Sequence, residues 1–346
     1  MTPRFCIAAF VLALALLAGC SRRDESTSPA AQKHVVIFTA LDRIYSEPIL
    51  QAFETKTGIH VDPVYDTESA KTTGLINRLI ARQGNPECDV LWNNEIVQTE
   101  SLAQMGLLAA YDSPQATRIP DQYRDSARRW TGFAARVRVL IYNTNKFPAP
   151  PPPASLATFV DPKFRGQGAI AEPYYGTTFT HVGVLRQRWG DEKLKRWLNE
   201  LADNACAIAP GNGAVRDLVA SGERSFGLTD TDDANNALLE HKPVKIVIPD
   251  AADGAILIPN TVALIQNAPH STEAKALIDY LLSAEVERSL AEMPGAQIPL
   301  GTDLKHLQTP WTQLLAEAPP QPFDIKRIAA GRKDLIELLR ASKVGQ

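Results

Sequence analysis

The sequence predicts an α/β protein of two lobes joined by a hinge, and three observations carry that reading. Between residues 34 and 92, short β-branched runs alternate with longer amphipathic ones in the order β-α-β-α-β. The alternation restarts after a proline cluster at 148–153, which can be neither helix nor central strand and marks a stiff connection. Residues 244–248 and 255–266 then read as extended, with no comparably long helix between them, so the chain leaves one α/β unit, builds a second and returns. A β-α-β order implies a parallel sheet with right-handed crossovers, whose ligands gather at the carboxyl ends of the strands. Clefts between such lobes bind small molecules and close on them.

The elements follow in order. Residues 35–40 form a buried strand, and 46–57 a helix with Ile49, Leu50 and Phe53 on one face and Gly58 as its stop. Residues 60–65 are a strand, 72–82 a helix, 88–92 and 136–143 strands. Beyond the prolines come strand 168–171, helices 180–189 and 192–204, strand 206–209, helix 214–221, strand 225–229 and helix 233–240. The domain limits expected are 34–137 for the first part of lobe 1, 138–250 for lobe 2, and 251–346 for the return to lobe 1 with C-terminal helices.

Across 346 residues, 36 Lys and Arg stand against 39 Asp and Glu, a formal net charge of −3. That balance, with no basic cluster, argues against a nucleic-acid partner. A chain of this length buries one large core or two ordinary ones. Beyond the first twenty residues no apolar run is long enough to span a bilayer as a helix. Those twenty pair Arg4 with an apolar stretch at 5–18 and end Leu17-Ala18-Gly19-Cys20. They resemble a bacterial lipoprotein signal, which implies a signal peptide at 1–19, lipid on Cys20 and a polar tether at 20–33 (CSRRDESTSPAAQK). Cys88 and Cys206 remain for the folded part and read as small buried hydrophobes.

Enzyme signatures are missing: no Walker A loop, H-E-x-x-H, C-x-x-C or G-x-S-x-G occurs. Gly166-Gln167-Gly168 precedes a strand where a dinucleotide motif must follow one, so it reads as a turn. The chain is therefore expected to be no enzyme and to need no certain cofactor. His34, His60, His241, His270 and His306 read as surface or cap residues.

The candidate site residues come from strand and helix ends. Asp66 and Glu68 follow one strand, where either faces a cleft or caps the next helix; Asn93, Asn94 and Glu95 end another. Gly176-Thr177-Thr178 and Gly211-Asn212-Gly213 each precede a helix, whose free amides and dipole seat an anion unless the loop is an ordinary capped turn. Arg136 and Arg138 share one strand face, and Arg136 either clamps an anion at the hinge or pairs with a neighbouring acid. Asp230, Asp232 and Asp233 exceed what one helix cap needs, so one or more should face the cleft while the rest cap. Tyr174-Tyr175 reads as a hydrophobic loop anchor.

The runs 37–41 (IFTAL), 88–92 (CDVLW), 130–136 (WTGFAAR) and 164–166 (FRG) carry a family likeness that extends from about 35 to about 290. The chain resembles a periplasmic solute-binding protein of an ABC importer, within the ferric-ion-binding branch of the type II binding proteins, which includes receptors for phosphonates and sugar phosphates. The resemblance implies a type II periplasmic-binding-protein fold, capture by hinge closure, and delivery to a permease in the inner membrane driven by a separate ATPase. It also implies a periplasmic or cell-envelope location, and ferric iron with a synergistic anion as one transported ligand. Ferric-binding members place two adjacent tyrosines after a strand like Phe226-Gly227-Leu228; here an ungapped reading puts Asp232 and Asp233 there. Asp42 falls near the family's first-loop ligand, and Glu95 within one residue of its glutamate. Asp232, Asp233 and Glu95 form the implied metal set. Such carboxylates hold a hard cation, or else pair with an ammonium group or accept from hydroxyls. A secreted hydrolase using paired carboxylates is the alternative from another class.

Overall fold

The structure, a computed structural model, describes residues 33–66, 73–149 and 152–345; Cys20, the export segment and Glu68 lie outside the described residues. In chain order the first half contains β1 (His34–Thr39), α1 (Arg43–Thr57), β2 (His60–Tyr65), α2 (Thr73–Ala81), β3 (Val90–Asn93), α3 (Ile96–Gln104), β4 (Leu108–Ala109) and β5 (Thr131–Asn143). Then follow β6 (Gly168–Ala171), α4 (Gly176–Trp189), α5 (Asp191–Asp203), β7 (Ala207–Ala209), α6 (Asn212–Ala220), β8 (Phe226–Asp230), α7 (Thr231–Leu239), β9 (Val244–Val247) and β10 (Leu257–Ile265). The chain ends in α8 (Ser271–Leu281), α9 (Ala284–Glu292), α10 (Thr312–Glu317), α11 (Ile325–Ala330) and α12 (Arg332–Arg340).

Two sheets share β5, which is buried along its whole length. Its first half, through Val137, pairs antiparallel with β10. From Arg138 onward it pairs antiparallel with β8, and further along with β9. On the first side β2, β1 and β3 run parallel; on the second, β8, β6 and β7 do. The parallel pairing expected of the β-α-β-α-β unit holds for β2, β1 and β3, and the sheet as a whole is mixed because β10 inserts antiparallel between β3 and β5. Local periodicity reports a strand's faces and not the direction of its neighbours.

Strand β5 begins five residues before the expected Arg136, across a bulge. Pro259 pairs with Ala135 and Asn260 with Phe133, leaving Ala134 as the extra residue at φ 41°. Its buried amide donates to Glu287 Oε1 (2.9 Å), so the interrupted ladder leaves no orphan there.

Helix α1 buries Tyr45, Ile49, Leu50 and Phe53. It ends at Gly58, whose φ of 69° suits glycine and whose amide donates to Glu54 O (2.8 Å). Helix α3 gave no helical signal because eight of its nine residues are buried, so no polar face marks its period. Helix α4 starts four residues before the expected Thr180, which draws Thr177 and Thr178 out of a loop and into the first helical turn. Cys88 and Cys206 are free and buried; burial pushes the Cys206 thiol up to about 12, away from the reactive thiolate.

Candidate functional site

A cavity of about 430 Å³ opens where strand ends of the two sheets meet. Nine of the sequence-derived candidate side chains line it: Asp42, Asn94, Arg136, Thr177, Thr178, Asn212, Asp230, Asp232 and Asp233. Tyr175 lines it as well.

The floor is a buried ion pair. Arg138 Nη1 lies 2.7 Å from Asp230 Oδ1 and also donates to Thr177 Oγ1 (3.0 Å) and Asn212 Oδ1 (2.9 Å). The second Asp230 oxygen accepts from Thr177 Oγ1 (2.6 Å) and Asn212 Nδ2 (2.9 Å). Strand pairing produces this arrangement, since Arg138 and Asp230 are register partners on β5 and β8. Asp230 occupies the position before α7 without capping it through its side chain; its carboxylate ties the starts of α4 and α6 to β5 instead. The sequence singled out Asp230 as a cap or cleft group and Arg136 as the clamp, and missed the binding together that Arg138 performs. Alternation with Arg136 marked its face but not its partner.

Helices α4, α6 and α7 begin at this cavity, and none is capped by the side chain of the residue before it, although Asp232 Oδ1 accepts from Asp233 N (3.1 Å) in the first turn of α7. Their first amides and the positive ends of their dipoles therefore converge on one space. Gly176 starts α4 at φ 60° with open space where a Cβ would project, which leaves the approach to Thr177 clear.

Beside the starts of α4 and α6 the lining is acidic. Single oxygens of Asp230, Asp232 and Asp233 lie within 4.8 Å of one another. Burial, reinforced by Asp230 and Asp42, pushes the Asp232 carboxyl above its ordinary range, while Arg136 opposes the shift. The Arg136 Nε lies 3.0 Å from Asp232 Oδ2 without a well-aimed N–H, and its terminal nitrogens donate to Asn94 O (2.7 Å) and Asn260 Oδ1 (3.0 Å). Both readings of Arg136 are thus represented: it lines the cavity and it pairs with an acid. Glu172, at the end of β6, and the Arg216–Asp217 pair (2.8 Å) complete the lining. Glu172 was findable by the strand-end rule that identified Asn94. Tyr174 packs against the core as expected of an anchor, whereas Tyr175 faces the cavity. Burial, then the hydrogen bond to Glu172, pushes its phenol up to about 12, so no phenolate forms at neutral pH.

Asn93 and Glu95 are not brought into the cavity. Asn93 Nδ2 donates to Glu95 O (2.8 Å) and Thr99 Oγ1 (3.0 Å). Glu95 caps α3, accepting from the amides of Val97 (2.8 Å) and Gln98 (2.7 Å), and Thr180 of α4 donates to the same carboxylate. Asp66 accepts from Leu75 N (3.3 Å) in the first turn of α2, its helix-capping alternative. Burial pushes Glu95 up to about 7, against the lowering effect of its donors and of Arg332. A raised carboxyl binds its proton more tightly folded than unfolded. Its contribution is therefore greatest below the ordinary value of 4.5 and is lost as pH rises through 7. The stability of the parent protein relative to Glu95→Gln should fall between pH 4.5 and 7.5 in denaturant titrations. A constant difference across that interval would show that Glu95 keeps its charge throughout.

Comparison with known proteins agrees with this architecture. The chain is 27% identical over 296 residues to a putative 2-aminoethylphosphonate-binding periplasmic protein of Salmonella typhimurium, covering 81% of this chain and 82% of the relative. It is 23% identical over 296 residues to iron uptake protein A1 of Synechocystis, covering 80% and 79%. Among solved structures, the periplasmic binding protein AfuA of Actinobacillus pleuropneumoniae with bound fructose 6-phosphate superposes with a TM-score of 0.80 at 20% identity, over 90% of this chain and 99% of that one. The fold is accordingly the two-lobed one of periplasmic binding proteins. The family model for bacterial extracellular solute-binding proteins matches residues 96–315, more than half of the sequence, and the chain belongs to that family of ligand carriers rather than to the enzymes.

Proposed function

We propose that the protein captures a small organic phosphonate or phosphate ester carrying an amine or hydroxyls, and hands it to the permease of an ABC importer. The observation that carries this reading is the convergence on one cavity of the starts of α4 and α6, neither capped by the residue before it, with the carboxylates at the start of α7. The anionic group sits on the amides near Thr177 and Asn212, and the donor-bearing end meets Asp232, Asp233 and Asp42. Arg136 joins the two ends through its contact with Asp232. We take the lobe limits to lie where β5 passes from one sheet to the other, between Val137 and Arg138.

A second reading, ferric iron with an anion as cargo, is favoured by the spacing of Asp230, Asp232 and Asp233. Against it, both Asp230 oxygens already accept hydrogen bonds, one of them from the Arg138 guanidinium, and Asp232 has the Arg136 guanidinium beside it. Calorimetric titration of metal-stripped protein with 2-aminoethylphosphonate, fructose 6-phosphate and chelated ferric iron tests the choice. One-to-one binding of a phosphonate or phosphate ester is expected, and stoichiometric iron uptake with no phosphonate heat overturns it.

We further propose that the mature protein is a lipoprotein anchored through Cys20 at the periplasmic side of the envelope, tethered by residues 21–33. Cys20→Ser should release it into the soluble fraction. Continued membrane association of that variant would rule out the lipid anchor.

A further inference from the structure

The C-terminal segment beyond Glu317 lies outside the residues matched by the family model, and it contacts both lobes. It leaves the hinge region through a backbone bridge in which Ala255 N donates to Pro319 O (3.2 Å) and Gln321 N to Ala255 O (3.1 Å). Helix α11 then packs on α3, from the first sheet's side, and on α4, from the second's. Toward α3, Lys326 O accepts from Gln104 Nε2 (3.1 Å), and Lys326 Nζ donates to Ser126 Oγ (3.0 Å) beside Asp125. Toward α4, Gln187 exchanges two hydrogen bonds with the Asp324 backbone (2.7 and 3.2 Å), and Gly331 O accepts from Arg186 Nη1 (3.1 Å). Ile328 sits so close to Gly183 that a Cβ there would lie 2.5 Å from its Cγ2. Beyond α11, α12 packs on α5, and Lys343 pairs with Asp203 (2.6 Å).

At the cleft, meanwhile, the two sides touch. Tyr45 of α1 and Asn236 of α7 are hydrogen-bonded (2.9 Å), and Asn235 Nδ2 donates to Pro294 O (2.8 Å). The lobes are therefore together at the mouth while α11 grips both of them at α3 and α4, themselves joined by the Thr180–Glu95 hydrogen bond. Separating α3 from α4 must break one of α11's two sets of bonds. A cavity of about 490 Å³ beside α11, between α4 and α12, leaves the helix room to shift when that happens.

We propose that residues 319–343 form a strap that favours the closed arrangement of the lobes by bridging α3 and α4. Hinge motion then carries a cost set by residues that do not line the cavity, and cutting either set of bonds shifts the equilibrium toward open molecules. The affinity consequence rests on the proposed ligand class; the shape consequence needs no ligand.

Two variants of the full chain test it from opposite sides. Gln187→Ala with Ile328→Ala weakens the strap's hold on α4, and Gln104→Ala with Lys326→Ala removes its hydrogen bonds on the α3 side through exposed polar groups that the core does not need. Small-angle scattering of the ligand-free proteins should give a larger radius of gyration for both than for the parent. Affinity for 2-aminoethylphosphonate should fall by about tenfold, the size typical of coupling between a conformational equilibrium and a site. Parent-like radii in both variants, with only a lowered melting temperature, would show that α11 is surface packing and overturn the strap. Larger radii with no 2-aminoethylphosphonate binding even to the parent would uphold the strap and reject the ligand class instead.

Discussion

Asp230→Asn should cost about 3–5 kcal/mol of folding stability, the usual consequence of leaving one member of a buried ion pair uncompensated. The substitution preserves shape and removes only the charge that faces Arg138. Arg138 is buried, so its charge loses its carboxylate partner where little solvent screens it. Denaturant midpoints at constant m-value measure the loss. Adding Arg138→Met should recover part of it, because removing both charges relieves the penalty that removing one creates. Ligand capture should stay lost in the double variant, since Thr177 and Asn212 would no longer be tied to one another and to β5. A double variant as unstable as the single one would mean that Arg138 is satisfied by its other partners and that the pair is not the organising contact.

The second large effect separates the ligand classes. Asp232→Asn together with Asp233→Asn should weaken 2-aminoethylphosphonate binding roughly a hundredfold, the value of about one strong charge-assisted hydrogen bond. Inorganic phosphate, which has no donor-bearing tail, should bind the double variant as well as or better than the parent, because two negative charges leave the neighbourhood of an anion seat. Opposite signs for two anions in one variant are hard to obtain from general damage to the fold. If both ligands weaken equally, the acidic wall is structural and the donor end of the ligand lies elsewhere.

Much of this site was legible because the relevant rules are local. Strand ends followed by polar residues gave Asn94 and the acids after β8, alternation along β5 gave Arg136, the family resemblance gave Asp42, and glycine turns before amphipathic helices gave Thr177 and Asn212. All of these face one cavity because a β-α-β chain returns its loops to the same edge. Glu95 and Asn93 satisfied the same rule and turned away. A carboxylate two residues from free helical amides is captured by them, and sequence spacing alone does not reveal whether a cap or a cleft wins.

By itself the sequence determined the α/β class, the order of most elements, the hinge-bearing strand and which loops carry polar chemistry, because hydrophobic periodicity and turn residues act over a few positions. Only the tertiary structure decided that β10 runs antiparallel between β3 and β5, that α3 is buried on every side, that Arg138 finds Asp230, and that α11 bridges α3 and α4. The physical reason is the same in each case. These contacts join residues far apart in the chain, and their partners are chosen by whichever packing buries apolar surface while leaving no charge or backbone amide unpaired.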